Sequence, residues 1–390
     1  SIAIVLLLAI VTFSYQQTIH TYPDGGGAYI VARDNLGEVP AQVAGAALLI
    51  DYVLTVAVSV SSGVAQLVSA YPDMVPYRVT VAVALVLFVV LINLRGVREA
   101  GSAFALPTYF FLLMIFMTVG VSFVKYVTGS LGSVVDPPEM EVLAGTHAVS
   151  LFLILRAFSG GTTALTGVEA ISNGVTAFRE PRSRNAAVTL LWMAGILGGL
   201  LLAITFLSTQ IGALPSEEET VISQLARTAF GGRGVLYLAT IAATTIILMM
   251  ASNTSFAGFP RLSAILGEDG FLPRQFAYRG SRLVYSRGIL LLALLACLLI
   301  VAFRASVTGL IPLYAIGVFL SFTLSQAGMA RRWWKIGHMA PGQERQERGS
   351  TLSYQAGWQL RMAVNSLGAV ATLIVLFVFS VTKFLDGAWI

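Results

Sequence analysis

About ten apolar runs dominate the chain, each near the 20 residues that carry a helix across the ~30 Å hydrocarbon core of a bilayer. They fall at 1–20, 41–70, 77–95, 103–127, 147–178, 185–209, 233–258, 288–304, 306–330 and 361–382. Within lipid every backbone N–H and C=O must be satisfied inside the protein, and for runs of this length the solution is helix. The predicted fold class is therefore all-α, a polytopic membrane protein whose first partner is the lipid bilayer. Hydrophobic residues make up 56% and charged residues 11% of the chain, where a soluble domain carries about 25% charged residues.

Several function classes recede at once. The net charge of +5 forms no basic stripe interleaved with aromatics, so nucleic acid is not an expected partner. His-Glu-x-x-His, nucleophile-elbow and phosphate-loop patterns are absent, which argues against an enzyme. Cys297 is the only cysteine, so no internal disulfide forms. His20, His147 and His338 have no metal-ligand spacing, and neither a resident metal nor a cofactor is expected. The first run is not expected to be a signal peptide, since Ser1–Ile10 has no basic flank.

The cations give an orientation. With loop 21–40 inside, seventeen of the 24 Lys and Arg fall in inner loops, six in outer loops, and Arg156 in a span. The positive-inside rule favours that arrangement. Trp333-Trp334, just after a span, reads as part of an interfacial aromatic belt.

One run is interrupted. Ser159-Gly160-Gly161-Thr162-Thr163-Ala164-Leu165-Thr166-Gly167-Val168-Glu169 sets paired glycines, threonines and a carboxylate mid-span. Adjacent glycines weaken a helix, so a break is expected at Ser159, Gly160, Gly161 and Thr162, with Glu169 beside it. Broken spans are tolerated where protein or water surrounds them, and they form the ion and substrate sites of secondary transporters. Close helix packing at Gly160-Gly161 is the alternative. A break frees carbonyls, which suit a cation, and amides, which suit a carboxylate, so it does not choose between an ion and an amino acid.

A second constellation lies in the run 41–70. At about 100° per residue, Asp51, Tyr52, Thr55 and Ser59 share one face, and Ser62 extends it. Asp51 and Glu169 are the two acids deep within spans; such groups are costly in lipid and usually face a cavity. A face of carboxylate, phenol and hydroxyls suits a hard cation. The competing readings are hydroxyls bonded to their own helix and Asp51 paired with a loop arginine. Arg156 suits a gate or salt bridge better than a cation ligand.

Over its length the sequence resembles the amino acid–polyamine–organocation (APC) superfamily. Tyr22-Pro23-Asp24-Gly25-Gly26-Gly27-Ala28-Tyr29 is similar to that family's loop after helix 2, and Gly267-Glu268-Asp269-Gly270-Phe271-Leu272-Pro273 to its loop between helices 8 and 9. Leu49–Ser59, Arg156–Ser159, Ala164–Asn173 and Ile311–Phe322 look most like the KimA-type bacterial potassium importers. The resemblance implies a LeuT-type inverted repeat, helices 1–5 and 6–10, with helix 6 discontinuous. Residues 1–390 would form a single transmembrane transport domain holding family helices 2 to 11, truncated at both ends, with Phe384–Ile390 entering a further span. It implies that Asp51, Tyr52, Thr55 and Ser59 line the ion path, that Thr166 and Glu169 lie at the break, and that Tyr314 acts near an inner gate. The expected activity is proton-coupled potassium uptake in the cell membrane, with a potassium ion and a coupling proton as passengers and a homodimer as a possible assembly. The alternatives are an amino acid permease, for which an acid at Glu169 serves equally well, and a membrane enzyme or sensor that does not transport.

Overall fold

The computed structural model describes residues 1–23, 25, 27–95, 101–138, 150–278, 285–347 and 351–383. The expected further span at 384–390, the opening of the fifth run at 147–149, and Asp24, Gly26, Arg98, Arg279, Arg282 and Arg348 lie outside those residues. The helices are α1 (Ile2–Thr21), α2 (Gly27–Asn35), α3 (Glu38–Ala70), α4 (Arg78–Leu94), α5 (Gly101–Val127), α6 (Leu151–Thr162), α7 (Val168–Asn173), α8 (Arg182–Ile211), α9 (Val221–Phe230), α10 (Val235–Glu268), α11 (Ser286–Ala302), α12 (Val307–Gly337) and α13 (Trp358–Thr382). A hairpin of β1 (Glu344–Gln346) and β2 (Thr351–Ser353) follows α12, with Arg345 opposite Leu352.

Among the described residues nine helical segments are long and apolar enough to cross a membrane, with α6 and α7 counting as one. The run at 288–304 is α11, whose 17 residues reach roughly 25 Å, short of the ~30 Å core. Three features depart from the sequence reading. Loop 21–40 contains the helix α2, α10 runs on past Pro260 to Glu268, and the otherwise all-α chain carries the short hairpin. The Trp pair also divides: Trp334 is 52% exposed as a belt residue should be, while Trp333 is 3% exposed and packs with Tyr22, Val31 and Leu352.

Helix α3 is the centre of the bundle. It packs along α10 and α12, and also meets α2, α4 and α11. Leu54 joins a core built from α1, α7, α8, α12 and α13; Val53 and Val56 join a second core with α4, α10 and α11. The seam between these cores therefore runs down α3. Lipid tails are as apolar as leucine, so shape fit and hydrogen bonds between helices hold such a bundle together. Asn365 of α13 accepts from Ser14 of α1 at 2.6 Å and donates to Gln17 at 2.7 Å. Asn93 of α4 donates to Asn253 of α10 at 2.6 Å.

Candidate functional site

The interruption is real, and it lies later than the glycine pair. Ser159, Gly160, Gly161 and Thr162 are the last four residues of α6, in regular helix. A 3₁₀ turn covers Thr163–Leu165, Thr166 is extended (φ −61°, ψ 142°), and Gly167 is left-handed (φ 93°) before α7 begins. The cause is a ladder of hydroxyls. Ser159, Thr162, Thr163 and Thr166 each donate to the carbonyl three residues back, at 2.8, 2.7, 2.7 and 2.8 Å. Such bonds tighten and bend a helix, and Gly167 takes the left-handed step that a side chain resists. Gly161 serves close packing instead: a Cβ there would collide with Ile4 of α1, while Gly160 faces open space.

The break delivers Glu169 to the α3 seam. Its carboxyl stands within hydrogen-bonding reach of the Asp51 carboxyl. The two residues are 3% and 5% exposed. Ser321 of α12 donates to Glu169 Oε2 at 3.2 Å. Among the described residues Asp51 Oδ1 is buried with no hydrogen-bond donor, and no loop arginine pairs with it. Gly317 lets α12 come this close to α3: a Cβ there would stand 3.2 Å from the Ala47 carbonyl and 4.0 Å from Asp51 Cβ.

The remaining predicted residues flank this pair. Thr55 donates to the Tyr314 hydroxyl across the α3–α12 contact at 3.0 Å, and Thr166 lies beside the same hydroxyl. Tyr52 accepts from Asn173 Nδ2 at 3.0 Å. Ser59 is half-buried, and no hydrogen bond among the described residues joins it to these groups. With the arginine-rich loops inside, α3 runs outward, and Thr55 lies one turn, roughly 6 Å, beyond Asp51. On the orientation expected from the arginine-rich loops, Tyr314 sits on the outer side of the carboxyl pair, where the resemblance implied an inner gate. The inner side is closed by Tyr52 and Asn173, whose backbone oxygen packs against Gly25.

Three contributors were not singled out in the sequence. Tyr15 of α1 is buried near both carboxyls and beside Ser325 of α12. Neither Tyr15 OH nor Ser325 Oγ makes a well-aligned hydrogen bond. Asn173 and Ser321 are the others. The seam thus gathers a carboxyl pair with unsatisfied oxygens around it, the donor set of a hard cation or a proton.

At the inner end Asp269, in the loop after α10, accepts from Tyr29 OH at 2.5 Å and pairs with Arg33 at 2.8 Å. Burial first, then the Asp269 carboxylate, push the Tyr29 phenol well above its usual range. This clamp ties α2, and through it α3, to α10.

Bundle and broken span define a multi-pass α-helical membrane protein, with two buried acids at its centre. The chain belongs to the amino acid permease family, whose model matches residues 1–387. It is 42% identical over 386 residues to the potassium transporter KimA of Bacillus subtilis, covering 98% of this chain and 60% of that protein. It is 19% identical over 268 residues to the low-affinity putrescine importer PlaP of Escherichia coli, covering 67% of this chain and 57% of that protein. The chain therefore spans 60% or less of the length of these relatives.

Proposed function

We propose that this chain is the membrane core of a secondary transporter, a carrier and not an enzyme, that takes up potassium together with protons across the cell membrane. The carboxyl pair Asp51–Glu169 carries the reading. At hydrogen-bonding separation two buried carboxylates cannot both stay charged unless a positive charge joins them. A proton and a monovalent cation meet that need in turn, which is a route to coupling. The potassium ion would take oxygens from Asp51, Glu169 and Tyr15, between an outer closure at Thr55–Tyr314 and an inner one at Tyr52–Asn173. Rocking of helices around such a midplane site gives alternating access. The 42% identity to a protein named as a potassium transporter supports the choice of ion.

Uptake of a polar organic substrate, an amino acid or an amine, is the competing reading. It is favoured by the family's description and by the weaker match to a putrescine importer. The test is flux through the full-length protein in proteoliposomes. Rubidium accumulation that rises when the outside is made acidic supports potassium import. Accumulation of labelled amino acid or putrescine with no rubidium flux refutes it.

A further inference from the structure

At the arginine-rich end of the bundle, α1, α12, α13 and β2 enclose a cavity of about 430 Å³, away from the carboxyl pair. Donors dominate its polar lining. Arg332 and Arg361 supply guanidinium groups, Trp333 its indole, Gln17 and Gln355 their amides, and His20 an imidazole. Both glutamine oxygens are engaged: Gln355 Oε1 accepts from Arg361 Nη1 at 2.5 Å and Gln17 Oε1 from Asn365 Nδ2 at 2.7 Å. Each glutamine keeps its NH₂ to offer. Trp333 Nε1–H is a buried donor with no acceptor among the described residues. A native fold rarely leaves such a group unmatched.

The charged side chains of the lining, Arg332 and Arg361, are both cationic. No acidic side chain lines the cavity among the described residues. Glu347, 3.8 Å from Arg332, is shared with Lys335 at 2.8 Å. Arg361 stacks over the Trp333 ring at 4.8 Å, which fixes the plane of its guanidinium. Planar guanidinium forks match the oxygens of phosphate in bidentate fashion. Arg332 spends Nη2 on the Thr351 carbonyl at 3.0 Å and Nη1 on the Tyr22 hydroxyl at 3.5 Å, so the Arg361 fork, the indole N–H and the two amides are the donors that face an anion. They suit a tetrahedral group with oxygens on every side.

We propose that this cavity binds a phosphate group on the inner face of the protein. The group can arrive as a free phosphate or as the headgroup of an anionic lipid, and the recognising chemistry is the same. Once bound, it ties α12, the carrier of Tyr314 and Ser321, to α1 and α13.

Thermal unfolding of the full-length protein tests this without any transport assay. One arm uses lipid-stripped protein in detergent, in Tris phosphate against Tris chloride of equal ionic strength. The other uses nanodiscs of phosphatidylglycerol against phosphatidylcholine. A ligand that binds the folded state raises the midpoint in proportion to occupancy. Arg361→Gln is expected to weaken phosphate binding about tenfold or more, the scale of one charge-assisted hydrogen bond. Trp333→Phe keeps the ring, removes the donor, and weakens binding about threefold to tenfold. A phosphate response in detergent that both substitutions diminish identifies a free oxyanion. A response confined to phosphatidylglycerol, and diminished likewise, identifies a headgroup. Wild-type midpoints equal in both comparisons, or a response that neither substitution changes, overturn the proposal.

Discussion

Asp51 of α3 and Glu169 of α7 meet carboxyl to carboxyl across the helix break, each almost sealed from solvent. Two negative charges about 4 Å apart repel by roughly 4 kcal/mol at an effective dielectric of about 20. A positive charge between the acids relieves that repulsion, and in the proposed function the identity of that charge is what the transporter varies.

Removing either charge should separate stability from flux. Asp51→Asn and Glu169→Gln relieve the repulsion, so the cation-free protein should melt no lower than wild type. Rubidium uptake should fall at least about tenfold, the scale of losing one hydrogen bond or ligand to a charged group. Uptake unaltered in both variants would remove the pair from the ion path.

The position of the break is open to a glycine test. Gly160 lies in regular helix with open space where a Cβ would go. Gly160→Ala should therefore be neutral or stabilise by up to about 1 kcal/mol. Gly167, at φ 93°, should lose about 1–2 kcal/mol on replacement by alanine. Denaturation midpoints that rank the two variants the other way would return the break to the glycine pair.

Tyr314→Phe deletes the acceptor of the 3.0 Å bond from Thr55. A typical bond of this kind contributes about 1 kcal/mol. Folding should thus be little changed, while closure on the outer side of the carboxyl pair becomes easier to undo. The expected signature is a faster exchange of bound cation with outside solution and a lower ratio of net uptake to exchange. Identical exchange rates in variant and wild type would assign this bond to packing alone.

The Tyr29–Asp269 clamp predicts a pH response of one sign. Its phenol titrates higher in the folded protein than its unfolded value of about 10. The contribution is therefore complete below about pH 10 and is lost as pH rises toward the folded value. Wild-type stability should decline above about pH 10 more steeply than that of Tyr29→Phe. Parallel curves for the two proteins would show the clamp to be energetically silent.

Local chemistry was legible in the sequence wherever one element carried the whole signal. Run length gave the spans, and the 100° periodicity of α3 put Asp51, Tyr52 and Thr55 on a single face. The break was misplaced by a few residues because a glycine pair is conspicuous on paper. Gly161 is small to admit Ile4, and the bend comes from hydroxyl back-bonds ending at Thr166 and Gly167. Tyr15 and Ser321 could not be found that way. Ser321 stands alone in an apolar stretch and Tyr15 is one of several polar residues in Ser14–Thr18, and each matters only because α1 and α12 fold against α3 and α7. Trp333 misled for the converse reason: its sequence neighbourhood is interfacial, but the hairpin returning from α12 covers it.

Helix α7 has six residues, and isolated helices below about 12 residues are marginal in water. Its shape is lent by what surrounds it: the packing of α1 and α8 against it, and Ser321, Tyr52 and the opposing Asp51 on its polar side. A change of occupant between the acids alters one of its tethers directly. Under the proposed function, passenger and latch are then one object, and a carrier built this way senses its load without a separate relay.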